Sequence, residues 1–174
     1  MSDNVYLGNP NLKKANTPIE FTEEQIIEFV QCQRDPVYFA NKYVKIVSLD
    51  EGLVPFKPYR FQEKLINNFH ENRFNICKMP RQTGKSTTVV SYLLHYAVFN
   101  DSVNIGILAN KAATARELLG RLQTAYENLP KWMQQGIIAW NKGSLELENG
   151  SKILAASTSA SAVRGMSFNI LFLD

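Results

Sequence analysis

Apolar positions in the first third of the chain recur at helical spacing. In "TEEQIIEFVQCQRD", Ile26, Phe29 and Val30 share one helical face, Thr22 stands as the cap and Gln25 as its capping-box partner. "DPVYFANKYVKIV" reads as a second helix, with Asp35 as cap and Pro36 in the first turn. After a loop around "DEGLVPFKP", the stretch "YRFQEKLINNFHEN" predicts a third, with Leu65, Ile66 and Phe69 as its buried stripe. Residues 1 to about 20 carry prolines and asparagines without periodicity and read as an arm or loop.

From Phe74 the pattern changes to short apolar runs alternating with long amphipathic or apolar ones. "FNICK" reads as a strand, "STTVVSYLLHYAVF" as a mostly apolar helix, "VNIGILA" as a strand and "AATARELLGRLQTAYENL" as a helix. "IIAWN", "SLELE" and "KILAAS" form an antiparallel patch, the last two joined by the hairpin signal Asn149-Gly150. "NILFLD" is one more buried strand, ending in an acid. Strands alternating with helices predict an α/β fold with a mainly parallel sheet flanked by helices, behind a helical N-terminal segment. Residues 1–58 are the expected arm and helical subdomain, and 59–174 the core.

Composition narrows this only a little. A chain of 174 residues, 45% apolar and 20% charged, is an ordinary globular mixture. The net charge of +3 permits nucleic-acid contact without arguing for it. Cys32 and Cys77 match no metal spacing and read as reduced thiols. No apolar run is long enough for a membrane span or a signal core, so a soluble intracellular protein is expected. His70 and His95 lack partners as ligands, Lys13, Lys14 and Lys111 read as solvated charges, and Trp132 and Trp140 as core residues.

The chemistry concentrates in "CKMPRQTGKST". Its end, Gly84-Lys85-Ser86, closes the phosphate-loop pattern G-x-x-x-x-G-K-[ST], while Met79 stands where the first glycine belongs and Arg81 lies inside the loop. A strand before it and a helix after it are the context such a loop needs. Backbone N–H groups around Gly84 face a phosphate there, and the helix dipole favours the anion. Pro80, Arg81, Gln82, Thr83, Gly84, Lys85, Ser86 and Thr87 thus form the candidate nucleotide-binding stretch for ATP. Lys85 reaches the β- and γ-phosphates, and Ser86 helps hold Mg²⁺. Asp174, at the end of an apolar strand, is the candidate acid for the same Mg²⁺. Upstream, Gln62 can pair with adenine and Phe61 or Tyr59 can stack on it, against the plainer reading of a core aromatic on an amphipathic helix. Arg81 in cis and Arg164 in trans are candidate arginine fingers.

These residues resemble the large terminase subunit of tailed bacteriophages, most closely that of T-even-like phages. The segments that carry the resemblance are "YLGNPNLKKAN", "PVYFANKY", "RFQ", "PRQTGKSTTVV", "GILANK", "LPKWMQQGIIAWNKGSLELENGS" and "AVRGMSF". In that family the phosphate loop lacks the first glycine and carries an arginine, as here. The resemblance implies a P-loop NTPase of RecA/ASCE type. It implies ATP and Mg²⁺ at Lys85, Ser86 and Asp174, Arg81 sensing the γ-phosphate, Gln62 at adenine, and Arg164 reaching a neighbour in a ring. It further implies ATP hydrolysis that drives double-stranded DNA into a procapsid. The implied partners are the portal protein and the small terminase subunit, and the implied place is the host bacterial cytoplasm.

The family pattern continues past Asp174 with a catalytic glutamate, a coupling motif and a nuclease domain that cuts concatemeric DNA. The sequence is therefore expected to be part of a longer protein and to hydrolyse ATP poorly or not at all alone. A later strand normally sits between the loop strand and the acid strand, so a gap in the sheet with uncovered apolar surface is expected. A superfamily-2 helicase or DNA translocase is the nearest alternative. A non-catalytic assembly module of the packaging complex is an alternative from another class.

Overall fold

A computed structural model describes residues 4–48, 50–158 and 165–174. The first helix, α1 (Glu23–Arg34), starts at the predicted capping box, with Thr22 and Gln25 each bonding the other's backbone N–H. Its apolar face differs from expectation. Phe29 packs against the core and Cys32 is buried, whereas Ile26, Ile27 and Val30 face solvent. The second helix, α2 (Pro36–Tyr43), is capped by Asp35 as predicted and buries Phe39 and Ala40.

Four expectations about the N-terminal third are corrected. Residues 1–20 are not a plain arm: β1 (Val5–Tyr6) and β2 (Asn9–Lys13) form a hairpin, and β2 buries Leu12. The second helix does not continue to Val47. Lys45–Ser48 is β3, which pairs antiparallel with β4 (Gly52–Pro55), where a loop was expected. β-Branched Ile46 and Val47 suit a pleated surface better than a helix end, and Gly52, at φ +73°, supplies the turn. Lys13 is no solvated charge either: it is almost fully buried, with Nζ 2.7 Å from Glu148.

In α3 (Arg60–Glu71) Ile66 is fully buried and Leu65 and Phe69 half-buried, as the stripe predicts. α4 (Lys85–Phe99) is buried almost all round from Thr88 onward, as befits a mostly apolar helix. It packs against α2, α3 and α5 (Ala112–Glu127). α5 in turn lies on β5 (Asn104–Ala109) and β8 (Lys152–Ser157). Trp132 and Trp140 are half-buried against this core.

The main sheet has the order β6-β7-β8-β5-β9, with β6 (Ile137–Trp140), β7 (Ser144–Leu147) and β9 (Ile170–Leu173) completing it. β5 pairs in parallel with β8 and β9, while β6–β7 and β7–β8 are antiparallel. The sheet is thus mixed rather than mainly parallel, because the predicted antiparallel patch joins it instead of standing apart. Gly150, at φ +80°, makes the β7–β8 turn.

The expected strand "FNICK" is absent: residues 74–80 form no strand and pair with nothing in the sheet. A strand exists only where a neighbour takes up its N–H and C=O groups, and no described segment offers one there. Ile76 is fully exposed and Phe74 nearly so. Between residues 72–77 and β9 runs a cleft of about 290 Å³, floored by Val89 and Leu93 and walled by Ile170 to Leu173. Among the described residues β9 pairs with β5 alone, so the sheet ends at this cleft; the gap expected inside the sheet is an edge instead, because its far wall is not a strand.

Candidate functional site

Residues 80–87, the candidate phosphate loop, take their shape from two residues in the left-handed region, Gln82 at φ +63° and Gly84 at φ +76°. Gly84 is the N-cap of α4 and Lys85 its first residue, so the unpaired N–H groups of the first turn open onto the loop. The loop is stitched internally. Thr83 Oγ1 donates to the Pro80 carbonyl at 3.0 Å, and Thr88 donates both its N–H and its hydroxyl to the Gly84 carbonyl at 2.9 and 3.0 Å. The left-handed φ favours glycine at 84, and a Cβ there would also lie 2.5 Å from Gln62 Nε2 and push that side chain aside.

Opposite the loop, β9 delivers Asp174. Its N–H donates to the Leu108 carbonyl at 2.9 Å, prolonging the β5–β9 ladder by one residue. Its carboxylate meets Lys85 Nζ at 3.1 Å, with both side chains partly exposed. The structure therefore brings together two predicted residues far apart in sequence, at the C-terminal end of parallel strands. Ser86 and Thr87 follow in the first turn of α4, half-buried.

A second hollow of about 770 Å³ adjoins the loop on the other side. The β3–β4 hairpin contributes Ile46 and Val54, α3 contributes Phe61 and Gln62, and the loop contributes Gln82 to Gly84. Tyr59 and Phe61, both exposed, stack on each other with centroids 5.9 Å apart and planes within 10°. Gln62 is buried and turned to the backbone: Oε1 accepts from the Tyr59 N–H at 2.9 Å, and Nε2 donates to the Thr83 carbonyl at 3.2 Å. The hairpin wall of this hollow was missed in the sequence, where "DEGLVPFKP" reads as a loop. The strand pattern of "KIVS" with a glycine four residues after its last member was the available signal.

Arg81 lies exposed on the loop, with no ion-pair partner among the described residues. Arg164 lies outside the described residues. No helix among the described residues is long and apolar enough to cross a membrane.

The fold is similar to that in the crystal structure of the HK97 bacteriophage large terminase, with a TM-score of 0.66 at 18% sequence identity over 82% of this chain. The chain spans 30% of the length of that terminase. A family model described as the large terminase subunit, T4likevirus-type, N-terminal, matches residues 76–174, from the approach to the phosphate loop to the β9 acid. That match covers more than half of the sequence, and the chain belongs to this family of terminase large subunits.

Proposed function

We propose that the chain is the ATP-binding part of a phage genome-packaging motor, a P-loop unit of RecA/ASCE type that couples ATP hydrolysis to movement of double-stranded DNA into the procapsid. The observation that carries this reading is Lys85, first residue of a helix behind a left-handed glycine, paired with a strand-end acid at 3.1 Å in a chain of the terminase family. In this reading Lys85 and the N–H groups around Gly84 hold the phosphates. The Ser86 hydroxyl and Asp174 carboxylate are hard oxygen donors of the kind Mg²⁺ takes, and Mg²⁺ bound there would offset phosphate charge. Arg81, free on the loop, approaches the γ-phosphate, and Arg164 reaches a neighbouring subunit of a ring. Tyr59 and Phe61 give the adenine a stacking surface, with Gln62 behind them.

The implied partners are the DNA backbone, gripped without base reading, the portal protein and the small terminase subunit. The setting is the host cytoplasm, with the motor docked on the procapsid and a nuclease activity carried by the full-length protein. Membership of the terminase family favours this over the helicase reading. The test is DNA-stimulated ATP turnover in a chain extended past Asp174. Turnover that Lys85→Ala abolishes supports the motor. Equal rates with and without Lys85 contradict it and leave the assembly-module reading in its place.

A further inference from the structure

Gln62 invites a role other than the one its position upstream of the loop suggests. Resting on the reading of the loop as a phosphate site, we infer that Gln62 is a positioning residue for the phosphates, locking one peptide of the loop in orientation. The peptide in question joins Thr83 to Gly84. A trans peptide is planar, and its C=O and N–H point in opposite directions. Gln62 Nε2 holds the Thr83 carbonyl at 3.2 Å, so the Gly84 N–H is turned away from Gln62, toward the open side of the loop. Without that donor the carbonyl is free to rotate into the phosphate site, where its partial negative charge would oppose an anion.

Three further observations bear on this. Gly84, on the far side of this peptide, is left-handed at φ +76° and as a glycine tolerates either sign of φ, so a flip of the peptide costs little there and an external lock matters. Gln62 is itself held, since Oε1 accepts from the Tyr59 N–H at the start of α3. The carboxamide is thus a rigid bracket between α3 and the loop. The contact is also tight: a Cβ at 84 would lie 2.5 Å from Nε2, so a side chain there would displace the Gln62 carboxamide from its bracket.

The test separates phosphate from base. Binding of ATP, GTP and inorganic tripolyphosphate, each with Mg²⁺, is compared in wild type, Gln62→Glu and Lys85→Ala. Gln62→Glu keeps the acceptor for Tyr59 but puts a carboxylate where the donor to Thr83 stood, so Gln62→Met, which removes the donor without adding charge, is measured beside it and must show the same loss. The lock predicts that Gln62→Glu weakens all three ligands alike, about tenfold or more, as expected for a lost hydrogen bond whose freed carbonyl then opposes the anion. Loss for ATP alone, with tripolyphosphate unaffected, makes Gln62 a base reader and overturns the lock; no loss for any ligand overturns it too. Binding by wild type that is indifferent to Lys85, or absent, refutes instead the phosphate-site reading beneath it. A readout without substitution guards against misfolding of the variant. In nuclear magnetic resonance titration of wild type with tripolyphosphate, the Gln62 side-chain amide and the Gly84 N–H shift together if the lock holds. A shift at Gly84 with Gln62 unmoved contradicts it.

Discussion

Gly84 concentrates the constraints of the site in one residue, because a side chain there would be strained at φ +76° and would displace Gln62, 2.5 Å from its Cβ. Gly84→Ala is expected to cost about 1–3 kcal/mol of local strain and to abolish ATP binding, measured by denaturation and by ligand titration. A fully competent Gly84→Ala chain would contradict the loop geometry. A second residue-scale prediction concerns His95, on α4 away from the loop. Burial pushes its pKa down to about 4, and Nδ1 has no hydrogen-bond partner, while Nε2 meets the Cys32 carbonyl at 2.9 Å. The neutral ring with its proton on Nε2 fits that environment; a second proton on Nδ1 does not. The unfolded chain takes up this proton near pH 6.5 and the folded chain only near 4, so stability falls as pH drops through that window, by up to about 3 kcal/mol. His95→Gln, which can still donate to Cys32, is expected to flatten this acid limb in denaturation curves recorded from pH 7 to 4. An unchanged slope would show that His95 does not drive it. The burial of His95 was not legible in the sequence, because it depends on Phe39 and Phe99, which pack against its ring from α2 and α4.

Among the elements, helices were the more legible. Thr22, Asp35 and the α3 stripe announce their helices through local side-chain bonds and period, which require no distant partner. The hairpins β1–β2 and β3–β4 were missed because two to five residues make too short a pattern, and their pairing is decided by what they pack on. For β2 that support is visible. The Gln134 side chain accepts from the Lys13 N–H and donates to the Asn11 carbonyl. Glu148 accepts from the N–H groups of Asn16 and Gly136 and pairs with Lys13. Burial works to raise the Glu148 pKa, but Lys13 and the two N–H groups outweigh it and hold the carboxyl below its ordinary range. Glu148→Ala leaves Lys13 and those donors without their acceptor and is expected to cost about 2–4 kcal/mol. It is also expected to expose residues 4–16 to protease. Loss of stability without increased cleavage there would mean that Glu148 supports β6–β7 rather than the N-terminal hairpin.

For the molecule as a whole, the strand expected at "FNICK" shows where local pattern fails: the apolar alternation is present, but an element that depends on a neighbour does not form without one. The result is an apolar cleft beside β9, with Ile76, Phe74 and Leu173 exposed around it. Such an edge is a pairing surface, so the 174-residue chain is expected to self-associate at micromolar concentration. Ile76→Lys, at a fully exposed position, is expected to change stability by less than about 0.5 kcal/mol while reducing that association in sedimentation experiments. Association unaffected by the charge would locate the sticky surface elsewhere, for instance at Ile26, Ile27 and Val30 on α1. Sequence alone was sufficient to set Lys85 beside Asp174, because the Gly84-Lys85-Ser86 loop and a strand-end acid are written locally and their meeting follows from parallel topology. It could not supply the hairpin wall of the neighbouring hollow or the inward turn of Gln62, which are products of tertiary packing. The most direct test of the account is calorimetric titration of this chain with ATP and Mg²⁺, wild type beside Lys85→Ala. The account predicts saturable binding by wild type that weakens at least tenfold without the Lys85 ammonium, as for a lost charge-assisted contact. Equal binding by both chains, or none by wild type, would contradict the claim that residues 80–87 are a nucleotide site.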